Sequence, residues 1–129
     1  LTRAEMGLTD YEELAGPALR TFFRLAQEWS LSEREQSILL GEPDADALAL
    51  WRRGDFDLVS AEVLMRISLL LGIYRGLHTV FSDRSQANAW VGRVQVAGLF
   101  KGTSALAHML GEGVPGVRRV HGRVLALLD

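Results

Sequence analysis

The chain has 129 residues, of which 48% are hydrophobic and 23% are charged, so it is long enough for one globular domain or two very small ones. The absence of cysteine excludes disulfides and thiolate chemistry, and no apolar run approaches the roughly 18 residues of a membrane span. These features predict a soluble cytoplasmic protein without membrane contacts. The net charge of −2 is uneven, because residues 1–82 hold eight basic and thirteen acidic side chains and residues 83–129 hold six and three. A basic C-terminal third suits an anionic partner or an acidic protein groove, although ordinary surface scatter explains it as well.

The N-terminal part is predicted to be an arm followed by three helices. Residues 1–16 show little periodicity, which predicts a frayed arm with at most one helical turn. A first helix is expected to begin near Pro17, since apolar residues then recur at helical spacing up to Trp29. Ser32 and Glu35 have capping-box spacing, which predicts a second helix over 32–40. Asp44 can cap a third helix over 45–53 after a short turn.

A fourth helix is predicted to start at Ser60 and to be the longest of the chain. Its apolar residues recur every seven positions, and two glycines four residues apart would let another helix approach closely. The pattern fits a core helix or a dimer seam, and the core interpretation is favoured, although one helix can serve both. The residues assigned to dimerisation are Ile67, Leu70, Gly72, Tyr74 and Gly76.

The last third is predicted to contain three shorter helices, which gives an all-α fold. Ser82 or Ser85 is expected to start the first, and an irregular stretch follows over 94–102. Ser104 is expected to cap the second helix, and the third begins after Pro115 and Gly116.

Catalytic and metal-binding patterns are scarce. The three histidines have no metal-ligand spacing with Asp or Glu, and the paired carboxylates fall in turns where helix capping explains them better than acid–base work. No nucleophile elbow, phosphate loop or dinucleotide fingerprint occurs. We therefore expect no enzyme, no cofactor and no metal.

The second and third helices, joined by a tight turn, form a helix-turn-helix pattern. The candidate DNA contacts are Ser32, Arg34, Arg52 and Arg53. The third helix nevertheless begins with acidic and methyl-sized residues, whereas DNA affinity depends on Lys and Arg. Strong sequence-specific DNA binding by a single copy of the chain is therefore disfavoured. A helix-turn-helix that serves only to pack the fold is a serious alternative.

The chain resembles the Xre/MbcA/ParS-type antitoxins of bacterial type II toxin–antitoxin pairs over about 17–129. The resemblance is carried by the order and spacing of short matching stretches, of which the most telling in the N-terminal part is residues 66–78. The matching stretches are 31–41, 50–54, 66–78, 87–91, 99–106, 109–110, 113–117 and 123–128. The chain departs from the family at Val94-Gln95-Val96, where Pro-Asn is common, and at Ala105, where Pro is common.

The resemblance implies an Xre-like helix-turn-helix and dimerisation domain over 17–82 and a small helical toxin-binding domain over 83–129, after an arm over 1–16. The implied partner is a RES-domain toxin that consumes NAD or transfers ADP-ribose from it, held in a hetero-oligomer that contains an antitoxin homodimer. The implied function is occlusion of the toxin's active site, with operator binding and autorepression as a second activity. The residues assigned to toxin contact are Trp90, Leu99, Phe100, Lys101, Ser104, Leu106, Met109, Arg118, Arg119, Arg123 and Asp129.

Within that set the residues have different expected roles. Phe100, in a glycine-flanked loop, is expected to face the partner, whereas Leu106 and Met109 fit the small domain's own core equally well. The arginines are expected to pair with acidic toxin residues, and Asp129 with the chain terminus could plug the cleft if residue 129 is the natural end. The alternative function is an Xre-type DNA-binding transcriptional regulator with no toxin partner.

Overall fold

A computed structural model describes residues 3–56 and 59–129, with side chains from residue 14 onward. Within those ranges the chain forms seven α-helices and one short 3-10 helix, and no β-strand occurs there. The predicted all-α fold is thus confirmed. The helices are α1 (Arg3–Glu28), α2 (Glu33–Leu39), α3 (Ala45–Arg52), α4 (Ala61–Val80), α5 (Arg84–Ala89), α6 (Ala105–Glu112) and α7 (Val114–Leu127), and the 3-10 helix is Trp90–Gly92.

Four of the predicted helix starts are confirmed by side-chain caps. The Ser32 hydroxyl accepts from the Glu35 backbone N–H at 3.1 Å, and the Glu35 carboxylate accepts from the Ser32 N–H at 2.9 Å. Asp44, Ser60 and Ser104 each accept a backbone N–H from the first turn of the helix that follows. These bonds satisfy N–H groups that have no partner within a helix, so they fix where α2, α3, α4 and α6 begin.

Several predicted boundaries are wrong, and one of them is the start of the last helix, which begins at Val114 rather than after Pro115 and Gly116. The first helix begins at Arg3 and runs through Pro17, so the predicted arm is helical from its third residue and α1, not α4, is the longest helix. Strong helix formers before Pro17 and the burial of Ala15 account for this extension. Helix α5 is capped by Asp83, whose side chain accepts from the Gln86 N–H, rather than by a serine.

Helix α4 lies at the centre of the fold, packed against α1, α5 and most extensively α7. Its inward face includes Ile67, Leu70, Ile73 and Leu77, all at most 1% exposed. One hydrophobic cluster extends from α1 to α7, so the core is continuous across the boundary predicted at residue 82. The two modules that the sequence suggests therefore share a single core.

The predicted dimer seam on α4 is instead a contact within the chain. A Cβ atom added at Gly72 would lie 2.5 Å from His121 Nε2, and one at Gly76 would lie 2.4 Å from Val124 Cγ1. The glycine pair thus does allow close approach of a helix, but that helix is α7 of the same chain. Ile67 and Leu70 are likewise covered by the chain itself, which corrects their assignment to dimerisation.

Of the described helices, α4 has the length and apolar composition that would suffice to cross a membrane. Its most apolar face is occupied by α1 and α7, and Arg66 and Arg75 interrupt its surface. The apolar composition of α4 is therefore accounted for by its position in the core.

Candidate partner-binding surface

The loop between the 3-10 helix and α6 is held in one conformation by its own backbone. The Gln95 N–H donates to Thr103 O and the Gly102 N–H donates to Gln95 O, both at 2.9 Å. Isolated bridges join Val94 to Ser104 and Gln95 to Lys101, so the loop is tied at its base. Gly98 and Gly102 adopt positive φ values of 84° and 86°, which only glycine takes without strain. Residues 93–104 therefore form a closed loop that leads directly into the Ser104 cap.

This loop separates its apolar side chains into an inner and an outer set. Phe100 is 3% exposed, with its ring 6.4 Å from that of Trp90 and 5.1 Å from that of His108. Val94, Val96 and Leu99 point outward and are 62%, 89% and 59% exposed. Large apolar side chains that are exposed side by side on a surface commonly mark a binding site.

Basic residues of α7 lie next to the loop. The Arg123 guanidinium reaches the loop tip, 4.0 Å from the position that a Cβ at Gly98 would take. Arg119 lies one turn earlier on the same helix face and forms a salt bridge with Glu112. We name this combined surface the loop face, and it consists of Val94, Val96, Leu99, Lys101, Arg119 and Arg123.

Some of the residues assigned to toxin contact are exposed, on the loop face or elsewhere on α7, and the others lie in the interior. Leu99, Lys101, Arg118, Arg119, Arg123 and Asp129 are exposed. Phe100 is buried, which corrects the expectation that it faces a partner, and Trp90 and Met109 are buried with it. The reason is that Phe100 closes the space between Trp90 and α6. Leu106 is half-buried against the core, and Ser104 serves as the α6 cap.

The C-terminal end of α7 presents a second set of exposed side chains. Leu125 and Leu128 are 46% and 44% exposed, and Asp129 follows them beyond the end of the helix. Arg118 contacts Met65 Sδ at 3.8 Å on the α4 side, away from the loop tip. The arginines of α7 therefore face two directions.

Three of the four residues assigned to DNA contact are held by structural interactions. Ser32 caps α2, and Arg34 forms an exposed ion pair with Glu42 at 3.6 Å. Arg52 hydrogen-bonds Gln36 at 3.1 Å, lies 3.7 Å from Glu33 and stacks on Phe23. Arg53 is exposed, as the other three are, and it forms no ion pair with the described residues. The turn between α2 and α3 uses positive φ values at Gly41 and Glu42.

A polar cluster joins α1, α4 and α5. Glu28 forms a salt bridge with Arg84, and the nearby Tyr74 hydroxyl, followed by Arg84, lowers the pKa of Glu28 below its ordinary value. Burial, and then the Glu28 carboxylate, raise the pKa of Tyr74. The Tyr74 ring stacks on His78, which hydrogen-bonds Asn88 at 2.9 Å. These contacts fix α5 against the core and explain His78 as a packed histidine.

Sequence reasoning missed two features of the surface. The first is that Val94 and Val96, which depart from the family pattern, are both exposed apolar side chains of one loop. The second feature is a groove that Arg20 and Arg24 of α1 line together with Arg52 and Arg53. Within the described part of the chain, no group of three potential metal ligands comes together.

No protein-family model matches the chain, and no solved structure matches it significantly. The chain is 34% identical over 102 residues to the uncharacterized protein y4oB of Sinorhizobium fredii (strain NBRC 101917 / NGR234). The match covers 79% of this chain and 77% of that protein. At this identity and coverage, the chain belongs to the same family as the Sinorhizobium protein y4oB.

Proposed function

We propose that the chain is an antitoxin that binds a cognate RES-type toxin in the cytoplasm and covers its active site. The toxin class, which consumes NAD or transfers ADP-ribose, comes from the resemblance to the Xre/MbcA/ParS-type antitoxins. The observation that supports a protein partner is the loop face. Its three exposed apolar side chains, Val94, Val96 and Leu99, stand on a closed loop beside Lys101 and Arg123.

The geometry of the loop face favours a partner with an apolar hollow edged by carboxylates. A few apolar anchors in a pocket dominate most interfaces, and a rim of opposite charge steers the encounter. Because backbone hydrogen bonds and the buried Phe100 already hold the loop in place, little conformational entropy is lost on binding. Occlusion follows if the loop or the end of α7 projects into the catalytic cleft.

The proposal is tested by co-expression with the product of the adjacent reading frame, followed by co-purification and a growth assay. The variant Val96→Asp/Leu99→Asp places charges at two apolar anchors without touching the core. We expect it to weaken the complex by about 30-fold or more, which corresponds to about 2 kcal/mol, and to release toxicity.

Leu14→Asp is the matched control, because Leu14 on α1 is 57% exposed and Leu99 is 59% exposed. The control is expected to leave binding and neutralisation intact. Full neutralisation by the loop variant, or equal loss in the control, would contradict the assignment of the loop face.

To test whether residues 128–129 plug the toxin's cleft, fewer residues must be removed than a cut after Arg119 would remove. Val120 and Val124 are fully buried, so a cut after Arg119 would remove part of the core. Removal of Leu128 and Asp129 alone leaves α7 complete, since the helix ends at Leu127. If these residues plug the cleft, the shortened chain will still bind the toxin but will no longer inhibit it. Full inhibition by this chain would rule out the plug.

Operator binding with autorepression belongs to the same proposal, and a DNA-binding regulator without a toxin partner is the alternative. The paired helices α2 and α3 with their tight turn support a helix-turn-helix role. Arg53→Ala is the sharper test, because Arg52 also holds α2 through Gln36 and Glu33. Weaker retention of operator DNA with a smaller salt dependence would support DNA contact by Arg53. A stable operator complex in a strain with no toxin partner would favour the regulator.

A homodimer within the complex remains part of the proposal, but it needs a surface other than the buried Ile67 and Leu70. Gel filtration with light scattering on the purified chain reports its mass directly. A monomer across micromolar concentrations would remove the dimer from the proposal.

A further inference from the structure

Four arginines line a groove between α1 and the C-terminal end of α3. Arg20 and Arg24 come from α1, and Arg52 and Arg53 come from the end of α3. The groove has a volume of about 520 Å³, and none of the nine described residues that line it is acidic. Small-molecule sites commonly have volumes of about 300–1,000 Å³.

Two of the four guanidinium groups are held on aromatic rings. Arg20 Cζ lies 5.6 Å from the centroid of the Phe56 ring, and Arg52 Cζ lies 5.8 Å from that of Phe23. Arg52 is fixed further by Gln36 and Glu33. Stacked guanidinium groups keep N–H edges for hydrogen bonding, so the ring contacts orient the groups without using all of their donors.

The other two arginines complete the lining from the solvent side. Arg24 lies one turn after Arg20 on the same face of α1, and Arg53 directly follows α3. Both are exposed, and neither has a recorded ion pair within the described residues. Stabilisation of the α3 C-terminus explains basic residues at Arg52 and Arg53, but it does not explain their position opposite two arginines of α1.

The gathering of four like charges favours a multivalent anion. A concave surface of one sign concentrates counter-ions, and guanidinium groups bind phosphate oxygens through paired hydrogen bonds. We propose that this groove is a binding site for a small multivalent phosphate, either free pyrophosphate or the diphosphate of a nucleotide. Duplex DNA fits less well, because the same helix begins with Asp44 and Asp46, which repel a phosphate backbone.

The test is calorimetric titration of the full chain with inorganic pyrophosphate at low salt. The variant Arg24→Ala/Arg53→Ala removes the two exposed donors and leaves both ring stacks in place. We expect pyrophosphate to bind saturably and the variant to bind it at least tenfold more weakly, with an unchanged unfolding midpoint.

The matched control is Arg75→Ala/Arg93→Ala, which removes the same charge from exposed positions outside the groove. It is expected to bind pyrophosphate as the parent chain does. A nucleoside diphosphate that binds more tightly than pyrophosphate through the same arginines identifies a nucleotide as the source, and equal binding identifies the free anion. The proposal is overturned by equal weakening in the control, by absence of saturable binding, or by binding of duplex DNA without binding of pyrophosphate. None of these outcomes depends on a toxin partner, so they are distinct from failure of the antitoxin proposal.

Discussion

The contact between α4 and α7 and the loop at residues 93–104 use apolar residues in opposite ways. The α4–α7 contact is closed, because Gly72 and Gly76 let α7 approach so nearly that little room for a further atom remains. The loop is half open, because Phe100 is buried while its neighbour Leu99 is exposed. A regular apolar seam on a helix thus became core, whereas an irregular segment supplied the exposed apolar surface. The difference shows that a periodic apolar pattern predicts that a helix face is buried, but it does not tell whether the same chain or a second copy buries it.

The largest effect that tests this contrast comes from replacing Phe100 and its neighbour Leu99, one at a time, by alanine. Phe100→Ala should lower the free energy of unfolding by about 3 kcal/mol, because it leaves a cavity between Trp90 and His108. Leu99→Ala should change the free energy by less than about 0.5 kcal/mol. Urea unfolding measures both. Equal losses would mean that the inner and outer sets are not separated as described.

The second test concerns the closed contact. Gly76→Ala forces a methyl group against the buried Val124, and we expect a net loss of about 1–2 kcal/mol after the gain in helix propensity. Gly72→Ala meets only the far end of the His121 side chain, which can move, so the free energy should stay within about 0.5 kcal/mol or rise.

The pair Gly76→Ala/Val124→Ala checks the cause of that loss. Removing the clashing methyl groups of Val124 should make the glycine substitution less costly than it is in the parent chain. Additive effects of the two changes would argue against direct contact between these positions.

A smaller effect is expected at the junction between the loop and α6. Ser104→Ala removes the α6 cap and should lower the free energy of unfolding by about 1 kcal/mol. Amide hydrogen exchange at Gln95 and Gly102 should quicken, because the loop closes beside this residue. Ser82→Ala is the control, since Asp83 and not Ser82 caps α5. A comparable loss of unfolding free energy in the control would indicate that Ser82, rather than Asp83, caps α5.

The smallest effect is a dependence on pH that belongs to the helices and not to the loop. The folded pKa of Glu28 lies below its ordinary value of 4.5, so its stabilising contribution is full above about pH 4.5 and is lost as the pH falls through the folded value. Residues 93–104 contain no acidic side chain or histidine. Acid should therefore loosen the α1–α4–α5 junction before the loop.

Glu28→Gln checks this dependence. It should lower the free energy of unfolding near neutral pH by less than Ser104→Ala does, and it should flatten the decline in that free energy below pH 4.5. Glu42→Gln is the control, because its ion pair with Arg34 is exposed and screened by solvent. An unchanged acid profile in Glu28→Gln would exclude this carboxylate as its source.

The sequence predicted the exposure of some residues of the candidate surface correctly and that of others wrongly. Leu99, Lys101 and Arg123 were assigned correctly to the exterior, and Phe100 was not. Glycines and a lysine around Phe100 are typical of an exposed loop, but they carry no information on the space between Trp90 and α6. The arginine groove escaped notice for a similar reason, because Arg20 and Arg53 are more than thirty residues apart in the chain.

By itself, the sequence determined the all-α class and the starts of α2, α3, α4 and α6, because a cap such as Ser32 with Glu35 acts across three residues. It also determined that a helix would approach α4 at its glycine pair. Only the tertiary structure decided that this helix is α7 of the same chain, that α1 continues through Pro17, and that Phe100 lies inside the protein. The physical reason is that local hydrogen bonds choose where helices begin, whereas burial depends on contacts such as that of Gly76 with Val124, between residues far apart in the sequence.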